Sequence, residues 1–247
     1  MPASLVDIIK TAQASSLIDE DGDEIALELM SPLSTEEIDD FAATLPCPLP
    51  DEVRQLLSYT RGFEAVVADI VDFTGESCLF GQEELFPNGI PIAADGFGNF
   101  WVVDLSERSN AFGPVYFACH DAPVILYQCD SLDEFLTELF RACTPPHKSL
   151  IDDVHEDRLH NVWRTNPGVL SRSECLTSSD SELEAFARTL DSSWSIVDLR
   201  AVTPGMGFSW GRYGPNTQLK RHGLLPIFAY TRPNGFLRRL FRKKEAT

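Results

Sequence analysis

The sequence has no long apolar run, no export signal and no CxxC pair. No hydrophobic stretch approaches the roughly 20 residues that a transmembrane helix needs. The first ten residues, MPASLVDIIK, lack the basic stretch followed by an apolar core that marks a secretory signal. The six cysteines are scattered, which is typical of reduced thiols in a cytosolic protein. We therefore expect a cytoplasmic protein with no stable membrane association.

Basic residues are scarce everywhere except at the end of the chain. The 247 residues include 20 Lys and Arg against 38 Asp and Glu, a formal net charge of -18. Eight of the basic residues lie within 220–247, where Glu245 is the single acid, so residues 1–219 carry 12 basic and 37 acidic side chains. Such a body repels nucleic acid and anionic membranes and attracts basic partners at a rate that salt suppresses. Solubility alone would explain the same excess.

Helical patterns fill the first third of the chain. Apolar residues recur at helical spacing over 5–14, and Ser34 with Glu37 forms a capping box for a helix over 34–45. A third helix follows in the stretch LPCPLPDEVRQLLSYTRG. Its first turn accommodates Pro50, whose missing N–H is no loss there, and Gly62 suits a left-handed C-terminal cap. The sequence thus predicts a helix that is fixed at both ends.

Short strand patterns follow, separated by turn signals. The runs GIPIAAD, NFWVVDL, GPVYFACHD and PVILYQC predict an antiparallel meander, with Asp95-Gly96 as one of its turns. A capped helix, SLDEFLTELFRAC, closes the unit. This order predicts an α+β fold in which helices flank an antiparallel sheet. Pro145-Pro146 marks a linker, so we predict one domain at 1–143 and a smaller α+β extension at 149–247, packed on it.

The motifs that suggest catalysis or metal binding fail on their spacing. HEDRLH, 155–160, separates its histidines by five positions, so they cannot share the helical face that HExxH requires. The loop PGMGFSWGRYG has Trp210 where a third phosphate-loop glycine belongs. Cys119 and His120 are adjacent on a strand and point to opposite faces. We predict no enzyme, no cofactor and no metal site.

Two alternatives remain open in the C-terminal part of the chain. An enzyme would require a pocket lined by Arg200, Trp210 and Arg212. The terminal stretch GFLRRLFRKKEAT places an apolar stripe among basic residues, which fits either a membrane-surface helix or a segment that lies on the acidic body.

The ordered features of the first 143 residues resemble the SMI1/KNR4 family, whose domains are also called SUKH domains. The features that carry the resemblance are Leu45-Pro46 and Leu49-Pro50 before a helix with its Gly62 stop, the strands Ile90–Asp95 and Phe100–Leu105 around a tight turn, Gly113-Pro114-Val115-Tyr116, and the helix SLDEFLTEL.

The resemblance implies a binding protein without catalytic residues. Bacterial SUKH domains are mostly immunity proteins that neutralise a toxin domain, frequently a nuclease or another nucleic-acid-modifying enzyme, whereas fungal relatives act in cell-wall signalling. We therefore expect either an inhibitor of a basic toxin or a regulatory scaffold. The candidate partner-binding carboxylates are Asp72, Glu76, Glu83, Glu84, Asp95, Glu107 and Asp121, with Trp101 or Phe97 as an aromatic contact.

Overall fold

The described part of the chain consists of runs of helices and runs of antiparallel strands. The computed structural model describes residues 4–19, 21–64, 68–81, 83–105, 112–211, 214 and 216–231. The helices are α1 (Leu5–Ala14), α2 (Thr35–Thr44), α3 (Asp51–Tyr59), α4 (Leu132–Ala142), α5 (Leu150–Asp152), α6 (Leu159–Thr165), α7 (Arg172–Leu176) and α8 (Ser181–Arg188). A π-helical segment, Asp153–Arg158, connects α5 to α6.

The strands are short and pair antiparallel. They are β1 (Leu17–Ile18), β2 (Glu24–Ile25), β3 (Glu28–Leu29), β4 (Gly62–Glu64), β5 (Ile70–Asp72), β6 (Gly89–Ala94), β7 (Phe100–Asp104), β8 (Val115–Cys119), β9 (Val124–Cys129), β10 (Val169–Ser171), β11 (Trp194–Asp198), β12 (Gly207–Ser209), β13 (Leu219–Arg221) and β14 (Ile227–Thr231). The largest sheet has the order β12-β9-β8-β7-β6-β5-β4-β3. Strands β3 to β9 follow the chain order, which confirms the predicted meander and the α+β class.

One face of the eight-stranded sheet is covered by helices. Because successive strand residues point to opposite faces, Trp101 and Phe117 lie on this face while their chain neighbours lie on the other. The same core contains residues of α1, α3 and α4, and it also contains Ile151 and Val154 from the segment after the prolines. This core therefore includes side chains from both sides of the predicted linker.

The opposite face is covered by a second sheet. Val102, Tyr116 and Ile125 on this face pack with Phe228 and Tyr230 of the four-stranded sheet β10-β11-β14-β13. The outer face of the smaller sheet packs against α7 and α8 in a third core. The layers thus run helix, sheet, sheet, helix. The division into domains at 1–143 and 149–247 stays a prediction, and these contacts are what join the two segments.

The helix after the prolines begins as predicted and ends differently. Pro50 is the N-cap of α3, with an extended backbone. The helix ends at Tyr59, and Thr60 is its C-cap in an extended conformation. Gly62 is therefore not a left-handed cap. It begins β4, where a Cβ atom would lie 1.9 Å from the carbonyl oxygen of Val71, so the sheet requires glycine there for close strand approach.

The predicted aromatic loop PGMGFSWGRYG contains a strand. Residues 207–209, as β12, pair with β9 and extend the large sheet at its edge. A Cβ atom on Gly207 would lie 1.9 Å from the carbonyl oxygen of Ile125, so this contact too depends on a glycine. A three-residue strand that begins with a glycine is too short to show a period-2 pattern in the sequence. Its pairing with β9 is therefore seen only in the three-dimensional structure.

The HEDRLH stretch is helical, and the side chain of its first histidine is partly buried. His155 lies in the π-helical segment, where its ring centroid is 5.1 Å from that of Phe117 and 6.1 Å from that of Trp101. The buried amide of Gln128 on β9 connects the sheet to α5. It accepts a hydrogen bond from Trp101 Nε1 and donates one to the carbonyl of Leu150. The helix after the linker is therefore held on the sheet by polar and aromatic contacts.

A buried ion pair joins the two sheets. The guanidinium of Arg221 on β13 donates to both carboxylate oxygens of Asp104 on β7, at 3.0 and 2.6 Å. Both side chains are almost fully buried, with 4% and 6% exposed. Arg221 also donates to the carbonyl of Leu85 and lies over the rings of Phe86 and Phe228. A bidentate pair with this many additional contacts fixes the position of one sheet relative to the other.

Removing the arginine tests how much this pair contributes. We expect Arg221→Ala to lower the free energy of unfolding by about 3–5 kcal/mol, because it leaves the Asp104 carboxylate buried without its partner. Urea denaturation followed by tryptophan fluorescence measures the change. Lys220→Ala is the matched control: Lys220 is exposed and lies 4.8 Å over the Trp194 ring, so its loss should cost about 1 kcal/mol or less. Equal costs for the two variants would contradict the role given to the pair.

Candidate partner-binding surface

Two large apolar side chains stand out from the described surface. Leu79 is 93% exposed and Phe97 is 80% exposed. The other large apolar side chains with high exposure, Met206 and Leu224, are only 41% and 43% exposed. Single exposed apolar residues are common on protein surfaces. These two differ because the loops that carry them are held in place on both sides by buried groups.

Phe97 is at the tip of the β6–β7 turn, residues 95–99, which we call the Phe97 turn. Gly96 and Gly98 on either side have positive φ values of 74° and 87°, a conformation that other residues adopt only at a cost. The Asp69 carboxylate lies next to Gly96, and the exposed His120 of the β8–β9 turn lies next to Gly98. The turn thus presents an aromatic ring at one end of the large sheet.

Asp95 fixes the conformation of the Phe97 turn. Its Oδ1 atom accepts hydrogen bonds from the N–H groups of Phe97 and Asn99, at 2.9 and 3.1 Å, and its Oδ2 atom accepts one from Asn99 Nδ2 at 2.6 Å. The Asn99 side chain in turn accepts from the N–H of His120. His155 Nε2 lies 3.7 Å from Asp95 Oδ2. The carboxylate therefore connects two turns of the sheet with the π-helical segment.

The environment of Asp95 favours its ionised form. Burial alone would raise the pKa of this carboxyl, but the neighbouring His155 imidazole and the donors of Asn99 and Phe97 together hold the pKa below its usual range. A carboxylate with several N–H donors is a stable centre for a turn. It is not a group left free for a partner.

Leu79 is on the long β5–β6 connection, and we call residues 73–81 the Leu79 loop. Its neighbours Cys78 and Phe80 are both buried, so the leucine between them is directed outward. Asp72 holds the start of the loop, because it accepts hydrogen bonds from the backbone N–H and the hydroxyl of Thr74 and from those of Ser77. The loop is thus held by a buried carboxylate, as the Phe97 turn is.

The environment of Asp72 also stabilises its charge. Burial tends to raise its pKa, yet the hydrogen bonds from Ser77 and Thr74 and the charge of Arg61 outweigh this and lower the pKa. The Arg61 guanidinium is 3.5 Å from Asp72 and 3.4 Å from Glu76.

A contact between aromatic rings links the Leu79 loop to the strand that follows the Phe97 turn. Phe80 packs edge-on against Phe100, with 5.5 Å between the ring centroids. Phe100 is the first residue of β7 and follows the Phe97 turn directly. Since Phe80 is adjacent to Leu79, the Leu79 loop reaches across the sheet to the strand that leaves the Phe97 turn.

The structure separates the sequence-predicted contact residues into three groups. Asp72 and Trp101 are fully buried, so the expectation that they contact a partner directly is corrected: Asp72 supports a loop, and Trp101 belongs to the core beneath the helices. Asp95 is nearly buried and supports the Phe97 turn. The residues with exposed side chains are Glu76, Glu83, Glu84, Phe97 and Asp121. Glu107 lies outside the described residues.

Sequence reasoning did not find Leu79. Leu79 lies between Cys78 and Phe80, and an apolar residue in such a run is normally assigned to the core. No local pattern shows that Cys78 and Phe80 point inward while Leu79 points outward. Asp69 and His120 were missed as well, because they come next to the Phe97 turn only through the pairing of β5 with β6 and of β7 with β8.

All six cysteines are buried, and burial raises the pKa of Cys78 to about 11, so this thiol stays protonated and unreactive. Within the described ranges, no three His, Cys, Asp or Glu side chains are grouped so that they could hold a metal ion. None of the described helices has the length and apolar content to cross a bilayer.

Two features of the sequence left alternatives open: the residues of a possible pocket, Arg200, Trp210 and Arg212, and the basic terminal stretch. Arg200 makes ion pairs with Asp180 and Asp198, each at 2.7 Å, so its guanidinium already faces two carboxylates. Arg212 and the basic stretch 232–247 lie outside the described residues.

Comparison with known families identifies the segment that carries both loops. Residues 32–138 match the model of the SMI1 / KNR4 family (SUKH-1). The match is somewhat less than half of the chain, and it includes α2, α3, the strands β4 to β9 and the start of α4. This match over residues 32–138 confirms the resemblance to the SMI1/KNR4 family seen in the sequence. Comparisons with curated proteins and with solved structures find no significant match.

The charge of Asp95 can be tested by its effect on stability as the pH changes. We expect Asp95→Asn to lower the free energy of unfolding by about 1.5–3 kcal/mol at pH 7, because hydrogen bonds to a charged acceptor are lost. The folded-state pKa is depressed, so this stabilisation is complete above the unfolded pKa, about 3.9, and is lost as the pH falls through the lower folded value. The difference between the wild type and the variant should therefore shrink in acid.

Denaturation in urea between pH 7 and pH 2.5 provides the measurement. Asp121→Asn is the control, since Asp121 is exposed on the adjacent turn and its replacement should change stability by no more than about 0.5 kcal/mol. A difference for Asp95→Asn that is the same at pH 2.5 as at pH 7 would show that the hydrogen bonds do not depend on the carboxylate charge.

Proposed function

We propose that this protein is a non-catalytic binding protein of the immunity type, which neutralises a basic toxin domain by direct contact. The observation that carries the proposal is Phe97: an aromatic side chain, 80% exposed, on a turn fixed by Asp95 and by two left-handed glycines. Aromatic residues held at the centre of an interface often dominate binding energy. A turn that is already ordered loses little entropy when the partner binds.

The charge of the chain supports a basic partner. The formal net charge is -18, and the exposed acids Asp69 and Asp121 lie on the turns beside Phe97. A positively charged protein would be attracted at long range and oriented before contact. Nucleic acid carries the same sign of charge as this protein, so we propose no nucleic-acid ligand.

The family match supports an inhibitory function for this surface. For a toxin that acts on nucleic acid, the substrate groove is rich in Lys and Arg because it binds phosphates. An acidic inhibitor that inserts an aromatic ring into such a groove would block the substrate and needs no chemistry of its own. We propose no enzymatic activity and no cofactor. We also propose action in the cytoplasm, where the buried cysteines would stay reduced.

A regulatory or scaffold protein is the second candidate, as the fungal relatives in this family suggest. An inhibitor and a scaffold differ in the number of their partners and in how tightly they bind them. An inhibitor is expected to have one tight partner, and a scaffold is expected to have several weak ones.

Purification of the tagged full-length protein from its native cells, at low salt, tests the proposal. We expect one basic protein to co-elute in stoichiometric amount, to be released by high salt or denaturant, and to be identified by mass spectrometry. The purified pair should lack the toxic activity that the partner has alone. Several substoichiometric partners would favour the scaffold, and no partner at low salt would contradict both candidates.

Truncation of the exposed ring should weaken the complex without affecting the fold. We expect Phe97→Ser to raise the dissociation constant about 30-fold, which corresponds to about 2 kcal/mol, because a contact at the centre of the interface is removed. Isothermal titration calorimetry with the co-purified protein measures the change, and the thermal unfolding midpoint should stay the same. Met206→Ser is the matched control, since Met206 is 41% exposed beside β12, where its carbonyl accepts the N–H of Tyr127. Equal affinities for the two variants would remove Phe97 from the interface.

Charge reversal should slow association. We expect Glu83→Lys with Glu84→Lys to reduce the association rate about tenfold at low salt and much less at high salt, if these exposed acids face the partner. Stopped-flow mixing over a range of salt concentrations measures the rate. Glu36→Lys with Asp40→Lys, on the exposed side of α2, changes the net charge equally and serves as the control. The same rate for both double variants would mean that only the total charge matters.

A further inference from the structure

We propose that Leu79 and Phe97 are two apolar contacts of a single interface, which binds one basic protein with an apolar socket for each. This inference rests on the proposed function and extends it, because it assigns a second contact residue and defines the shape of the partner. The observations that carry it are the exposure of the two side chains, the fixed geometry of their loops and the contact between Phe80 and Phe100.

The outward position of Leu79 is determined by its surroundings. Cys78 and Phe80 are 7% and 8% exposed, so the residues on either side are held in the protein while Leu79 is 93% exposed. Ser77, two positions before Leu79, donates hydrogen bonds to Asp72 from both its N–H and its hydroxyl. The leucine cannot turn inward without breaking these contacts. A side chain that is held in water by the fold is available for burial by a partner at little entropic cost.

A ring contact links the loop that carries Leu79 to the strand beside the Phe97 turn. Phe80 follows Leu79 directly, and its ring packs on Phe100, which is three residues after Phe97. Phe80 also packs against Phe86, with 5.8 Å between the ring centroids, so the loop is held by two aromatic contacts. The packed rings therefore hold the Leu79 loop against the strand beside the Phe97 turn, and a single rigid partner that covers this part of the sheet could meet both side chains.

The charges around the two side chains select a basic occupant. Glu76, Glu83 and Glu84 are exposed near Leu79 in the sequence, while Asp69 and Asp121 lie by the Phe97 turn. The nearby Arg61 is already paired with Asp72 and Glu76. A second copy of this chain or an anionic membrane would bring like charge to this surface, which opposes binding. A protein with Lys and Arg around its apolar pockets would complement the charge of this surface.

The experiment compares three variants of the full-length chain: Leu79→Ser, Phe97→Ser and the combination of both, with Met206→Ser as control. The probe is the basic protein that co-purifies with the wild type, produced recombinantly, and its dissociation constant is measured at a fixed salt concentration. We expect each single variant to lose at least tenfold in affinity, mainly through faster dissociation. Because Leu79 and Phe97 are largely exposed, the unfolding midpoints should equal that of the wild type. Hydrogen exchange of residues 77–81 and 95–99 should slow together when the probe binds.

The outcomes distinguish this inference from the proposed function. A loss for Phe97→Ser with no loss for Leu79→Ser beyond that of Met206→Ser would overturn the two-contact interface and leave the proposed function standing. A loss for Leu79→Ser alone would also overturn it. The absence of any stoichiometric basic partner would overturn both. Self-association of the chain that disappears in Leu79→Ser would overturn the inference by showing a second copy as the occupant.

Discussion

Strands β7, β8 and β9 are buried on both faces, and most of the architecture follows from this constraint. Trp101 and Phe117 point to the helices, while Val102 and Tyr116 point to the second sheet. A sheet with two apolar faces must have both of them covered. The family segment supplies part of the helical cover, and the C-terminal strands supply the other layer, which Arg221 holds through Asp104. The loops at the ends of the sheet, which include the Leu79 loop and the Phe97 turn, lie outside these covered faces.

The two buried carboxylates give those loops a fixed shape. Asp72 and Asp95 each accept at least three hydrogen bonds from the loop that follows, and each is more useful as a support than as a contact. Their charge is stabilised by local donors, so the loops stay ordered without a partner. The acidic character of the protein therefore has two separate components. Some carboxylates organise the surface from inside, and others, such as Glu84 and Asp121, determine what the surface attracts.

Fixed loops with exposed apolar tips suit an inhibitor that must act as soon as its target is present. Binding then requires little rearrangement, so the association rate is set by diffusion and by electrostatic attraction. Substitutions of Leu79 and Phe97 should also leave the fold unchanged, because these two side chains contribute little to the core. The residues that maintain the fold are therefore separate from the residues that are exposed at the loop tips.

Local sequence determined the elements and their order. Ser34 with Glu37 forms the predicted capping box, the helix over 5–14 has its predicted bounds, and the meander follows the turn signals, because caps, periods and turns depend on near neighbours. The family and the sign of the charge were also readable from the chain. Tertiary structure alone decided that Gly207 begins a strand, that Trp101 is buried and that Leu79 is exposed. Burial and strand pairing depend on residues far away in the sequence, so no local pattern could assign them.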